Sequence, residues 1–294
     1  VQAYSLNDNV PVTHENFRQW VIEDDFCAGR PDLEKVGVIF TKKVHYYETM
    51  KIRLLNGGHQ IIANVGELLS LVTISDCMQD SRISSLFVKI LSEEIAPHVV
   101  SVPEKTPTEY IELIQRRFSN PTVVDTTRRV AFDGSSRHPE FLVPSINKAV
   151  ETGSSMSGLA LAEAIWARMC EGTREDGSKI EPNDPNWFDL ERTARVAKEK
   201  PSAWLDQRQY YGHLNSNKIF SDTFANWLRK IWNSGVEAAI DDYLLSELWT
   251  GFEGDSNTNV YKKDIYMVAP ISTISNGVPV LSVSYTHLTL PTKA

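Results

Sequence analysis

The sequence has 294 residues and a formal net charge of −8, with 41% hydrophobic and 23% charged residues, an ordinary globular balance. The acidic charge disfavours a general nucleic-acid-binding protein, and no apolar run approaches the roughly 18–20 residues of a membrane span. The start has no signal-peptide pattern and the three cysteines, Cys27, Cys77 and Cys170, are widely separated, so we expect a cytoplasmic protein with reduced thiols and no zinc site.

The first half of the chain is predicted to pass from loops to a long helix. Residues 1–35 are loop-rich, and the apolar run Val36–Phe40 is typical of a buried strand. From about Tyr47 to Leu71 the pattern becomes helical. The residues of this helix expected in the core are Leu54, Leu55, Ile62, Val65, Leu68 and Leu69.

Further helices are predicted along the rest of the chain, which makes the fold mainly α. One covers about 83–96 and stops at Pro97, and a second covers about 157–171 and stops at Gly172. Three more starts are indicated by capping patterns. They are the capping box Thr106-Pro107-Thr108-Glu109, the pair Asp184-Pro185 with Phe188, Leu190, Ala194 and Val196 towards the core, and Ser221/Asp222.

Within the long helix, Lys51, Asn56 and His59 form a candidate acid/base group. At about 100° per residue, Asn56 lies roughly 140° and His59 roughly 80° from Lys51, so all three side chains can lean towards one cleft. The following pair Gly57-Gly58 is a poor choice for a helix but lets a ligand or backbone approach closely. Taken alone, such a pattern is more often an ordinary helix surface than a catalytic site.

A second candidate group lies between residues 122 and 140. The sequence Asp133-Gly134-Ser135-Ser136 predicts a turn, which places Arg129 and Arg137 on either side of a bend. Two arginines near a turn are usually surface charges.

The glycines of this chain show no dinucleotide-binding turn. None of the 15 forms a Gly-x-Gly-x-x-Gly pattern after a strand, which such domains use to bring backbone N–H groups onto the pyrophosphate.

Several motifs in order and spacing resemble one enzyme family, the polyol-specific long-chain dehydrogenases, which include mannitol 2-dehydrogenase and fructuronate reductase. The resemblance runs from about residue 10 to about residue 245. It rests on Gln19-Trp20-Val21-Ile22-Glu23-Asp24, Gly29-Arg30-Pro31, Val36-Gly37-Val38-Ile39-Phe40-Thr41, Tyr47-Glu48, Met50-Lys51, Arg53-Leu54-Leu55-Asn56-Gly57, His59, Arg117-Phe118, Asn120-Pro121, Asp125, Arg129, Asp133-Gly134-Ser135, Arg137, Pro139, Ala164, Trp166 and Asp184-Pro185.

The resemblance implies a role for each candidate residue. Lys51 would be the general acid/base at the carbinol oxygen, and Asn56 and His59 would hydrogen bond that oxygen. Arg129 and Arg137 would contact the far hydroxyls of the substrate; the second position is often Lys in the family, and an arginine there keeps the charge but changes its geometry. Phe132 stands where some polyol-oxidising members offer a polar group.

The resemblance also implies a division of the chain and a multi-helical C-terminal domain of the 6-phosphogluconate-dehydrogenase-like type. Residues 1–45 would be a remnant of a Rossmann domain, with strand 36–40 left without a partner. Residues 46–248 would be the helical domain and 249–294 an irregular tail. The last residues, 283–294, resemble a translated sequencing adapter and are expected to be non-native.

The function implied is NAD-dependent interconversion of a sugar alcohol and a ketose, mannitol and fructose first, with NADP possible and no metal. The family fragment is expected to be inactive without its nucleotide-binding domain, and to be a monomer or weak oligomer whose partner is a small molecule. The alternatives are fructuronate or tagaturonate reduction, a β-hydroxyacid dehydrogenase, and a non-catalytic helical interaction domain.

Overall fold

A computed structural model describes Val10, Glu15 and residues 17–245. The predicted tail 249–294 lies outside the described residues. Two short strands, β1 (Val21–Glu23) and β2 (Ile39–Thr41), precede the helices. The α-helices are α1 (Val44–Met50), α2 (Gly57–Leu68), α3 (Ile74–Gln79), α4 (Ser81–Lys89), α5 (Pro107–Phe118), α6 (Thr127–Ala131), α7 (Gly134–Phe141), α8 (Val143–Thr152), α9 (Ser157–Met169), α10 (Trp187–Glu199), α11 (Ser202–Leu205), α12 (Arg208–Tyr211), α13 (Lys218–Ser234) and α14 (Val236–Leu245).

The remaining helical segments are short. Three are 3₁₀ turns, at Leu33–Val36, Ala96–His98 and Leu214–Ser216. Two are π-helical, Lys51–Asn56 between α1 and α2 and Ile90–Ile95 after α4. The predicted mainly α fold is confirmed. None of the helices within residues 17–245 is long and apolar enough to cross a bilayer.

Helix α9 lies at the centre of the molecule. Its sequence is almost entirely apolar or small, and every residue from Gly158 to Met169 is buried, so the helix is surrounded on all sides. It packs against α2, α10, α13 and α14. Its first turn is capped from a distance, because the buried carboxylate of Glu94 accepts hydrogen bonds from the backbone N–H groups of Gly158 and Leu159, both at 2.8 Å.

The strand prediction for residues 36–40 is wrong in two respects. The strand begins at Ile39, because Val36 ends a 3₁₀ turn with its side chain exposed and Gly37 follows at φ 91°. The strand also has a partner, since β2 pairs in parallel with β1 in the register Val21 to Ile39. The expected partnerless strand is therefore part of a two-stranded sheet.

Helix starts depend on which polar side chain reaches the free N–H groups. The Thr106 capping box is confirmed: Glu109 N–H donates to Thr106 Oγ1 at 3.2 Å and Thr106 N–H donates to Glu109 Oε2 at 2.7 Å. The Ser221/Asp222 cap is wrong, because α13 begins four residues earlier, where Asn217 accepts from Phe220 N–H at 2.9 Å.

The predicted start of α10 is also wrong. The Asp184 carboxylate binds the backbone N–H and hydroxyl of Ser135, each at 2.8 Å, and the helix begins at Trp187. The buried face of α10 also differs from the prediction. Leu190 and Ala194 are buried as predicted, and Trp187 is buried with them. Phe188 and Val196 were predicted wrongly, because they are 80% and 51% exposed.

Candidate active site

Two members of the predicted acid/base group, Lys51 and Asn56, lie at the two ends of a π-helical turn, Lys51–Asn56, inserted between α1 and α2. Here the N–H of Gly57 points to the carbonyl of Ile52, five residues back. Each residue of a π turn rotates by less than the 100° of an α-helix, so Asn56 lies closer to the face of Lys51 than the roughly 140° that α-helical geometry predicted. Single π turns are rare and frequently found at functional sites.

The two glycines after this turn lie against apolar side chains, and the contact is much closer at Gly58 than at Gly57. A Cβ on Gly58 would lie 2.6 Å from Phe87 Cε2, and one on Gly57 would lie 3.2 Å from Leu142 Cδ2. The close approach that the sequence predicted is therefore made by packed apolar side chains, which hold the end of the π turn against the core.

Lys51 is half-buried, and Asn56 is buried with an exposed fraction of 8%. Burial lowers the pKa of Lys51. Within residues 17–245, no hydrogen bond or ion pair to another side chain engages either the Lys51 ammonium group or the Asn56 amide. Both groups are therefore available to a ligand.

His59 lies next to this pair with its ring stacked on Phe118, the two ring centroids being 4.0 Å apart. Its pKa falls to about 3 through burial and through four nearby positive charges, those of Arg129, Arg117, Lys51 and Arg137. The ring is thus neutral near pH 7 and offers one N–H donor and one nitrogen acceptor. The influence of these charges indicates that Lys51, Arg129 and Arg137 lie in the neighbourhood of His59.

The two candidate arginines lie on either side of a bend, as predicted. Asp133 makes the bend at φ 61°, and Gly134 begins α7 where a Cβ would lie 2.5 Å from Trp166 Nε1. Arg129 is bound by Asp125 in a bidentate pair at 2.7 and 2.5 Å. Arg137 donates from Nη1 to the carbonyl of Val130 at 2.6 Å, and burial lowers its pKa.

A cavity of about 370 Å³ opens at this bend, within the size range of small-molecule sites. We call it the arginine cavity. The residues that line it are Thr126, Arg128, Arg129, Phe132, Arg137 and Asn183. Sequence reasoning did not find Thr126, Arg128 or Asn183, because Arg128 is one of two adjacent arginines and Asn183 comes from a distant loop.

Behind the cavity lies a fully buried polar chain that the sequence pattern also did not indicate. His138 Nδ1 lies 2.9 Å from Glu163 Oε1, and its Nε2 lies 3.0 Å from Asn64 Nδ2. Tyr211 donates to Glu163 at 2.7 Å and receives a bond from Trp204 Nε1 at 2.7 Å. The chain ties α7, which carries Arg137, to α2 and α9, and it makes Trp204 and Tyr211 part of the core.

A comparison with protein families identifies the family of this chain. The family model described as the mannitol dehydrogenase C-terminal domain matches residues 43–232. The chain belongs to the mannitol dehydrogenase family. The matched region begins just before α1 and includes Lys51, Asn56, His59, Arg129 and Arg137.

Curated relatives are named mannitol 2-dehydrogenase. The one from Cereibacter sphaeroides is 48% identical over 243 residues, covering 83% of this chain and 51% of the relative. The one from Aspergillus niger is 31% identical over 243 residues, covering 81% and 50%. This chain therefore spans about half the length of the curated relatives it matches.

Two solved structures of polyol dehydrogenases share the fold. Pseudomonas fluorescens mannitol 2-dehydrogenase, in a ternary complex with NAD and D-mannitol, matches with a TM-score of 0.73 at 31% identity, over 78% of this chain and 46% of that one. A substrate-free D-sorbitol dehydrogenase matches with a TM-score of 0.74 at 30% identity, over 81% and 49%.

Metal and thiol chemistry have few candidate residues in the described part of the chain. No group of three or more His, Cys, Asp or Glu side chains there is placed to hold a metal ion. All three cysteines are free thiols, Cys27 exposed and the other two buried, and burial raises the pKa of both Cys77 and Cys170.

Proposed function

We propose that the protein containing this chain is an NAD-dependent polyol dehydrogenase that interconverts mannitol and fructose, with Lys51 as its general acid/base. The observation that carries the proposal is the set of Lys51 and Asn56 on the π turn and His59 at the start of α2, where His59 is close enough to Arg129 and Arg137 of the arginine cavity for their charges to lower its pKa. The names of the relatives and of the ternary complex support the substrate and cofactor class.

In this proposal Lys51 takes the proton of the carbinol oxygen during oxidation and returns it during reduction. A lysine can act as a base only as the neutral amine, and burial lowers the pKa of Lys51 in that direction. The π turn that carries both Lys51 and Asn56 supports a role for both groups at one oxygen.

Asn56 and His59 stabilise the charge that develops on the reacting oxygen. The Asn56 amide donates an N–H, and the neutral His59 ring donates another without adding a positive charge that would compete with Lys51. Preorganised donors of this kind are typically the larger part of catalysis. Arg129 and Arg137 hold the remainder of the substrate in the arginine cavity.

The hydride acceptor of the proposed reaction would be NAD, as the name of the ternary complex supports. The described residues do not fit it, because the only sheet they form has two three-residue strands and the sequence has no Gly-x-Gly-x-x-Gly turn. We therefore assign no residue of this chain to cofactor binding.

A second candidate is reduction of a keto-uronate such as fructuronate. The observation that favours it is the charge of the arginine cavity, which three arginines line and no carboxylate lines. Arg128 donates only to the backbone carbonyls of Glu181 and Pro182, both at 3.0 Å, so its charge is available to an anionic substrate.

The test joins this chain to the N-terminal half of the Cereibacter sphaeroides relative and measures NAD(H)-linked turnover of mannitol, arabinitol, fructose and fructuronate. We expect turnover of mannitol and fructose. Lys51→Ala should lower turnover by roughly 10²–10⁴-fold and be partly rescued by added amines. A preference for fructuronate would select the second candidate.

The matched control is Lys42→Ala, which removes an exposed lysine nine residues before Lys51. It should turn over substrate like the unaltered fusion. If the fusion folds, as judged by its circular dichroism, but turns over none of the four compounds, the chain is better explained as a non-catalytic helical domain. An equal loss in both lysine variants would contradict the role of Lys51.

A further inference from the structure

Asn183 is a buried polar residue in the wall of the arginine cavity, and its amide nitrogen, Nδ2, has no hydrogen-bond partner among the described residues. Its exposed fraction is 3%. Buried polar groups in folded proteins are almost always hydrogen bonded, so each exception requires an explanation. Because Asn183 lines a cavity of about 370 Å³, a ligand bound in the cavity would explain the missing hydrogen-bond partner.

The loop that carries Asn183 is held firmly in place. Arg128 donates to the carbonyls of Glu181 and Pro182, and Asp133 N–H donates to the carbonyl of Asn183 at 2.9 Å. On the other side of Asn183, the Asp184 carboxylate binds Ser135. Every neighbour in the loop thus has a partner, and the Asn183 amide is left over in a fixed position.

The chemistry of the cavity wall indicates what the amide would bind. Arg128, Arg129 and Arg137 have only donors, whereas an asparagine amide presents a donor and an acceptor side by side. The Asn183 Nδ2 without a partner is a donor, so it needs an acceptor oxygen, and a hydroxyl group supplies one. Phe132 adds an apolar surface against which the C–H side of a sugar alcohol can pack.

The cavity is also next to the reacting end of the site. Arg129 and Arg137 both line it, and both lower the pKa of His59, which also feels the charge of Lys51. A substrate whose carbinol lies between Lys51 and His59 therefore has the arginine cavity within reach of its other carbons.

We propose that Asn183 is a further substrate-binding residue, whose amide hydrogen bonds a hydroxyl of the polyol away from the carbon that is oxidised. This inference rests on the proposed function. It means that a loop about 130 residues after Lys51 contributes to specificity for a polyhydroxy substrate.

The experiment uses the same fusion with D-mannitol and a panel of monodeoxy mannitols, each lacking one hydroxyl. The unaltered fusion should lose about tenfold in kcat/KM on at least one member that keeps the reacting carbinol, the effect of one hydrogen bond. The Asn183→Leu variant should have a KM for mannitol about tenfold higher and a kcat within about twofold of the unaltered fusion. Its kcat/KM should be the same for that deoxy compound as for mannitol.

The matched control is Asn186→Ala, in the same loop. Asn186 donates from its amide to Ser135 Oγ at 3.0 Å and does not line the cavity, so this variant loosens the loop but should still discriminate against the deoxy compound. Asn183→Ser serves as a second variant if Asn183→Leu does not fold, with the same loss of discrimination expected.

The outcomes separate this inference from the proposed function. Suppose that the unaltered fusion oxidises mannitol and that the Asn183 variants discriminate against every deoxy compound as strongly as the unaltered fusion. Asn183 is then only a structural residue, and the inference is overturned. If the folded, unaltered fusion oxidises no polyol, the proposed function fails and this inference fails with it.

Discussion

At the scale of single residues, the charge state of His59 shapes the site. Four positive charges and burial hold its pKa at about 3, against an ordinary value of 6.5, so the ring stays neutral wherever Lys51 could work as a base. The sequence predicted the residue types and their proximity. It did not predict Arg117 as a neighbour of His59, since that contact joins α2 to α5.

A pH dependence of stability follows from the lowered pKa of His59. Between pH 6.5 and 3 the unfolded chain binds a proton at this residue and the folded chain does not, so its contribution to the free energy of unfolding falls as the pH falls. His59→Gln should therefore gain stability relative to the unaltered chain between pH 7.5 and 5.

Urea unfolding of both proteins at pH 7.5, 6 and 5 measures this difference. His45→Gln, which replaces an exposed histidine on α1, is the control and should follow the unaltered chain at every pH. Parallel stability profiles for the His59 variant and the unaltered chain would mean that His59 titrates normally in the fold.

At the scale of elements, the π turn is the feature that aligns Lys51 with Asn56. The hydrophobic periodicity correctly predicted a long helix here, with Leu54, Ile62, Val65 and Leu68 buried, but it could not show a local change in hydrogen bonding from four residues to five. The pattern of apolar residues is nearly the same for an α-helix and for an α-helix with one π turn. What differs is the packing of Gly58 beneath Phe87.

Gly58→Ala tests that packing. Alanine favours a helix by about 1 kcal/mol over glycine, but its Cβ would meet the fully buried Phe87 ring at 2.6 Å, and overpacking costs about 1–3 kcal/mol. We expect a net loss of up to about 2 kcal/mol in the free energy of unfolding, together with reduced turnover in the fusion.

Gly57→Ala is the matched control for Gly58→Ala, because its Cβ meets only the end of the Leu142 side chain at 3.2 Å. It should change the free energy of unfolding by less than about 0.5 kcal/mol. If both variants unfold at the same urea concentration, the ring of Phe87 does not constrain the π turn.

At the scale of the whole molecule, this chain contains a helical domain whose relatives are about twice as long. The described residues include a candidate acid/base group and the arginine cavity, but no residue among them is assigned to the cofactor. The division at residues 45 and 248 stays a prediction from the sequence.

The 294-residue chain by itself should therefore show no NAD-linked oxidation of mannitol, while the fusion does. The measurement is NADH formation at equal molar concentrations of the two proteins, with Lys51→Ala in the fusion as the background. Turnover by the separate chain at the rate of the fusion would show that it binds the cofactor through residues not identified above.

The sequence by itself determined the helical fold, the family and the candidate residues Lys51, Asn56, His59, Arg129 and Arg137, because periodicity and motif spacing are local properties of the chain. Only the tertiary structure decided that β2 pairs with β1, that α10 begins at Trp187, and that Arg128 and Asn183 line the cavity. Those outcomes depend on hydrogen bonds and packing between segments far apart in sequence. Asp184 shows the reason: its carboxylate accepts from Ser135, 49 residues earlier, as well as from the N–H of Asn186, and the helix begins only at Trp187.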